Sequence, residues 1–289
     1  MATRPPELED VLNARIYHPL SDRIAAALAA TPVTPNMVSI GGALLVAIAA
    51  WFYVGLDGPL SVLLGFLAHA SWHVLDGADG TLARLTGRAS PIGELVDGIC
   101  DYAGHGILYI AFAMMLDDTM GVWAWVLGWA AAISRAIQAN HAESGRRTYL
   151  WRVYGVPWLK QAVQEGDALQ RPSLRMRVGA ALGRAYVAVA GASSPLSDRV
   201  NALVEAAAAD PAREARIRAA CRAEAGMTLR LQMALGSNWR TVLLAISMAL
   251  GSPLWFWLAE VTAMNLLLFV SIRLHQASDS RILSRSAVA

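Results

Sequence analysis

Six apolar stretches recur along this chain, near 37–56, 59–79, 98–116, 120–140, 238–251 and 253–274. Each approaches the roughly 20 residues that a helix needs to cross a ~30 Å hydrocarbon core, the fifth only with an upstream extension. Within lipid a backbone must satisfy its own hydrogen bonds, so such stretches are expected to be helices. Composition agrees, since 56% of the residues are hydrophobic and only 16% charged, a balance that disfavours a water-soluble globule. The expected fold is therefore all-α: an integral membrane bundle of six transmembrane helices.

Charge placement orients that bundle. The joints near 55–59, 116–121 and 251–253 hold Asp57, Asp117 and Asp118 but no Lys or Arg, whereas the others carry Arg84, Arg88, Arg146, Arg147, Arg152 and Arg273. Lys and Arg gather on the cytoplasmic side, so both termini and the joint near residue 85 are expected there, as in a bacterial-type inner membrane. The first twenty residues lack an apolar run ending in a small-residue cleavage site, and no secretory signal is expected. With two cysteines, Cys100 and Cys221, a disulfide framework is not expected either. No basic stripe interleaved with aromatics points to nucleic acid. Trp123, Trp125, Trp129, Trp255 and Trp257 are expected to form an aromatic belt at the outer interface.

Four regions follow from these patterns. Residues 1–33 alternate apolar and charged positions at helical spacing and read as a cytoplasmic helix lying in the interface. Residues 34–144 contain the first four spans, and 236–289 the last two with a tail. Between them, 145–235 is rich in Arg, Glu and Pro, with helical periodicity at 173–190 and 198–225, and reads as a cytoplasmic helical insertion.

One stretch is out of place in an apolar chain: DGADGTLARLTGRASPIGELVDGICD, residues 76–101. Asp76 and Asp79 are three apart and Asp97 and Asp101 four apart, so each pair shares one face of a helix. Gly87 and Pro91 between them mark a short turn that brings the second helix back antiparallel. Four carboxylates then converge where hydration is poor, and divalent cations would relieve their repulsion. Oxygen ligands without Cys or His favour Mg²⁺ or Mn²⁺, and two such ions suit a phosphoryl displacement. Arg84 adds a fork matched to phosphate oxygens, while Gly80 and Ala83 leave room for a bulky group such as a nucleotide.

The arrangement Asp76-x2-Asp79-Gly80-x2-Ala83-Arg84-x8-Gly93-x3-Asp97-x3-Asp101 resembles the signature of CDP-alcohol phosphotransferases, with every position filled. TPNMVS, Thr34 to Ser39, resembles the motif that opens the first membrane helix of many members. The resemblance implies transfer of a phosphatidyl or phosphoalcohol group from a CDP-linked donor to a hydroxyl, with release of CMP, in phospholipid synthesis. CDP-diacylglycerol with a small polar acceptor is the leading scheme, and CDP-choline or CDP-ethanolamine with a diacylglycerol-like acceptor the alternative. By motif position, Asp76, Asp79, Asp97 and Asp101 are metal ligands and Asp101 is also a candidate general base. Asp76, Asn36, Gly80, Ala83, Arg84 and Gly93 are expected to contact the donor. A homodimer in contact with membrane lipids is implied as well.

Other residues are open to more than one reading. Arg135, Gln138 and His141 share a face of the fourth span, followed by Glu143, Arg146 and Arg147. Arg135, Gln138 and Arg146 are candidate acceptor contacts, or basic groups snorkelling to the interface. His73 and His105, one turn deeper than Asp76 and Asp101, either meet the acceptor or bond one helix to another. Arg240, near the start of the fifth span, has the same two readings as Arg135, and Glu260, well inside the sixth, has no physical account from sequence beyond pairing in the bundle. Two other classes use acidic helices: a prenyltransferase, which carries its Asp motifs on two separated helices, and a cation transporter, whose ligands lie at the bilayer midplane.

Overall fold

The computed structural model describes residues 5–156 and 195–288, so the periodic segment 173–190 lies outside the described residues. Among the described residues the secondary structure is helical throughout. The α-helices are α1 (His18–Leu28), α2 (Pro35–Gly55), α3 (Gly58–Leu85), α4 (Pro91–Met120), α5 (Val122–Tyr154), α6 (Pro195–Ala207), α7 (Pro211–Ala234), α8 (Ser237–Ala249), α9 (Leu254–Val261) and α10 (Ala263–Val288).

Four runs among them are long and apolar enough to cross a membrane: Pro35–Gly55, Gly58–Leu85, Ile92–Met120 and Leu254–Ser286. They cover four of the six expected spans. The stretch 120–140 falls on α5, where Arg135 and Gln138 lower the hydropathy. The stretch 238–251 falls on α8, whose 13 residues reach only about 20 Å at ~1.5 Å per residue.

The chain divides into two compact units. One comprises residues 9–135 and 237–263. Its helices start where the sequence supplies caps: the Thr34 side chain accepts from the Met37 N–H, with Pro35 opening α2, and Ser90 accepts from the Gly93 N–H at the start of α4. Its core joins Val46, Ala49 and Tyr53 of α2, Trp72 of α3, Leu108 and Phe112 of α4, Leu244 of α8, and Phe256 and Trp257 of α9. Helices in lipid gain little from the hydrophobic effect and associate by close packing over small residues. Here a Cβ at Gly65 would lie 2.6 Å from the Tyr53 ring, and one at Gly128 would lie 2.9 Å from Trp257. Trp257 is thus a core residue rather than part of a belt, whereas Trp123, Trp129 and Trp255 are exposed.

The other unit comprises the described parts of 1–8, 136–236 and 264–289. Asp210 caps α7 by accepting from the Ala212 and Arg213 N–H groups. Tyr149, Val153, Val200, Val204, Ile217, Cys221, Leu229 and Ile282 form its core. Gly145 has no side chain because the Gln232 amide occupies the space a Cβ would need. Buried at its centre, the Arg152 guanidinium donates to Asp279 at 2.6 Å, to Asn201 at 2.8 Å and to the Ser197 hydroxyl at 2.7 Å.

Candidate active site

The hairpin of α3 and α4 is built by its turn. α3 continues past the Asp pair to Leu85 and α4 starts at Pro91, so the connection is the short turn around Gly87. Arg88 N–H bonds back to the Ala83 carbonyl at 2.8 Å and Gly87 N–H to that of Arg84 at 3.4 Å. This pair of bonds is the Schellman stop, which needs a left-handed residue at its centre. Gly87 supplies it with φ of 66°. The chain reverses, and the Asp-bearing turns of the two helices face each other.

Carboxylate oxygens of Asp76, Asp97 and Asp101 lie within 4.8 Å of one another, all three side chains half-buried. Asp79 borders this trio. It faces Asp97, accepts from the Ser39 hydroxyl of α2 at 2.5 Å, and takes the Gly80 N–H on its other oxygen. Asp101 faces Asp76 and accepts at Oδ1 from the Trp72 indole N–H at 2.9 Å. Three converging hard oxygen donors fit a divalent cation of the Mg²⁺ or Mn²⁺ kind, and like charges this close call for one.

The remaining signature residues lie on the last turns of α3 and the first turn of α4. Arg84 lies over Gly80, where an added Cβ would stand 3.4 Å from Nη1, and its Nη2 donates to the Thr81 hydroxyl at 3.1 Å. Gly93 sits beside the cap of α4, with Asn36 Oδ1 3.8 Å from where its Cβ would be. Ala83 is half-buried on the same stretch of α3.

Below the carboxylates the structure assembles a buried imidazole group. His105 Nδ1 bonds to the Asp101 carbonyl at 2.8 Å, which makes it the protonated nitrogen and leaves Nε2 to accept. Nε2 of His69 stands 3.4 Å away and is the matching donor. His105 therefore meets His69, one turn earlier on α3 than His73, while His73 bonds to Thr241 of α8 at 2.8 Å. Both His contacts are helix-to-helix bonds. His69 was detectable in principle: His69, Trp72, His73 and Asp76 form one i, i+3, i+4, i+7 stripe.

A second polar group in this unit answers the question of Glu260. Arg240 Nη1 lies 3.2 Å from Glu260 Oε2, with the side chains 1% and 0% exposed. Tyr109 and Arg135 stand within electrostatic reach of this pair, and Arg135 also within reach of Asp101 and His105. Gln138 and Arg146 belong to the other unit. There Gln138 donates to Asn265 at 2.8 Å, and the exposed Arg146 grips Glu143 with two bonds of 2.7 Å.

Comparison with known proteins bears on the same hairpin. Archaetidylinositol phosphate synthase of Aeropyrum pernix is 33% identical over 98 residues, 32% of this chain and 47% of that protein. The Pyrococcus horikoshii protein of the same name is 31% identical over 104 residues, 36% of this chain and 52% of that one. The chain spans about half the length of the curated relatives it matches. Residues 32–153, which cover α2, α3, α4 and nearly all of α5, match the family of CDP-alcohol phosphatidyltransferases.

Proposed function

We propose that this chain is a membrane transferase that moves a substituted phosphate group from a CDP-linked donor, CDP-diacylglycerol foremost, to the hydroxyl of a polar acceptor and releases CMP. The observation that carries this reading is the convergence of Asp76, Asp97 and Asp101 within 4.8 Å, inside the segment that matches the family. Mg²⁺ or Mn²⁺ held by these carboxylates and Asp79 supplies charge neutralisation for the donor's diphosphate and for departing CMP. Arg84 adds its fork to the diphosphate, and the bare backbone at Gly80, with Ala83, admits the nucleotide. Asn36 and Gly93 border the donor at the adjoining helix starts. Asp101, steadied by the Trp72 indole, takes the proton of the acceptor hydroxyl as that oxygen attacks phosphorus.

The name of the two relatives speaks of an archaetidyl lipid and an inositol phosphate. For this chain it favours a lipid-linked donor and an acceptor that itself bears phosphate. Arg135 is the residue we assign to that phosphate, because it stands in electrostatic reach of Asp101 and His105. We further read a six-span bundle with α1 in the interface, the hairpin turn and both termini cytoplasmic, the 145–235 region as an insertion, and a homodimeric assembly.

The test is CMP release by the purified protein in nanodiscs, with CDP-diacylglycerol, Mg²⁺ and a panel of alcohols with and without phosphate. Release that needs one of these acceptors and stops on chelation is expected. No release with any acceptor, or release undiminished after chelation, would overturn the reading.

A further inference from the structure

The N-terminal helix packs along the turns of α3 that bear the signature. The Tyr17 ring, in the π-turn just before α1, stacks on His73 with centroids 4.8 Å apart. The fully buried Ser21 hydroxyl sits 2.8 Å from the Val74 carbonyl. Gly77, between Asp76 and Ala78, is small for this reason, since a Cβ there would lie 2.6 Å from Ser21 Oγ. Ala25 packs with Ala78 and Leu82. The contacts advance in the same order along both helices, so α1 fixes the rotation of α3 from the face opposite α4.

One contact reaches a signature residue. Thr81 Oγ1 donates to Asp22 Oδ1 at 3.3 Å and accepts from Arg84 Nη2 at 3.1 Å. A threonine hydroxyl has one proton and two lone pairs. In a helix that proton ordinarily goes back to the carbonyl four residues earlier. Asp22 draws it outward, and a lone pair is left aimed at Arg84. The guanidinium, on a side chain with several free torsions, is then held over the bare backbone of Gly80 instead of ranging through solvent. Thr81 is 8% exposed, so water competes little for this relay.

We infer that Asp22 and Thr81 are positioning residues for Arg84, α1 holding one guanidinium nitrogen so that the rest of the fork meets the donor's diphosphate. The inference rests on the donor assignment made above. Thr81→Val is close in shape and removes the hydroxyl, whereas Thr81→Ser keeps it. Calorimetry of CDP-diacylglycerol binding at fixed Mg²⁺ should show about 3- to 10-fold weaker affinity in Thr81→Val and Asp22→Ala, the size of one ordinary hydrogen bond, since the relay positions the guanidinium rather than touching the donor. Thr81→Ser should stay within about twofold of wild type. The donor KM should follow these affinities while the acceptor KM stays constant. In an Arg84→Ala background Thr81→Val should have no further effect, because its target is gone. Wild-type donor affinity in Thr81→Val, or an undiminished loss in the Arg84→Ala background, overturns the relay alone. Absence of donor binding by the wild type, or wild-type affinity in Arg84→Ala, overturns the donor assignment and the relay together.

Discussion

The α3–α4 hairpin and the Arg152–Asp279 pair both withdraw charge from water, and they resolve the cost in opposite ways. Arg152 is 5% exposed and Asp279 1%, yet each guanidinium edge has a matched acceptor and the charges cancel inside the fold. In the hairpin, Asp76, Asp97 and Asp101 turn oxygens of one sign toward each other. A balanced pair belongs to the architecture. A like-charged cluster lacks that balance of opposite charges, and this supports the reading of it as a ligand site.

The two regions should therefore fail differently. Asp101→Asn should lower kcat by about 10²–10⁴-fold, the usual worth of a general base. The melting temperature should hold or rise, because one of three repelling charges is gone. Single-turnover CMP release alongside thermal unfolding checks both halves. Near-normal chemistry would move the base elsewhere, and a collapse in stability would make the cluster architectural after all.

Asp279→Ala should do the reverse. Removing one partner of a buried pair leaves the other charge uncompensated, at a cost of about 3–5 kcal/mol. Denaturant or thermal unfolding should register that loss, and donor affinity per folded molecule should remain. A variant as stable as wild type would show that Arg152 is satisfied by Asn201 and Ser197 alone.

The contrast also marks what a sequence can disclose. Asp76 and Asp79, and Asp97 and Asp101, announce themselves because helical spacing is local, and Gly87 announces the turn because only a left-handed residue completes it. Partners across helices are another matter. That Asp79 finds Ser39, that His105 finds His69 before His73, and that Glu260 finds Arg240 depends on helix rotation and approach distance. Those are set by small residues such as Gly65, Gly77 and Gly128, whose role shows only when the ring or hydroxyl above each is in place. The same holds for Trp257, which belt-like placement suggested was lipid-facing and which fills the core. α5 and α8 fall short of the four spanning runs for reasons the sequence does carry, the polar Arg135 and Gln138 in the one and the 13-residue length of the other.

A finer probe of the hairpin is Trp72, 3% exposed and bonded to Asp101 at 2.9 Å. Trp72→Phe keeps an aromatic ring beside His73 and His105 but removes the N–H. Loss of one hydrogen bond to a carboxylate is worth about 1.5–3 kcal/mol, or roughly 10- to 150-fold. If the bond orients Asp101 for the reaction, the loss should appear in kcat, with donor KM nearly unchanged. A rise in donor KM with kcat intact would instead make the indole a binding element.

The smallest effect expected is at Glu143, in the balanced unit and outside the spanning runs. Burial pushes its carboxyl up, but Arg146 and Arg147 more than offset this and bring its pKa down from 4.5 to about 2. A carboxyl depressed in the folded state contributes stability above its unfolded pKa, and the contribution fades as pH falls through the folded value. The window is therefore pH 4.5 down to about 2. With the Glu143 and Arg146 side chains 32% and 45% exposed, water and salt screen the pairs, and the effect should stay below about 1 kcal/mol. Unfolding of wild type and Glu143→Gln should differ slightly at neutral pH and converge through that window, more weakly at high salt. A difference that widens on acidification would mean that the carboxyl is stabilised in its protonated form, and that the two arginines are not its governing partners.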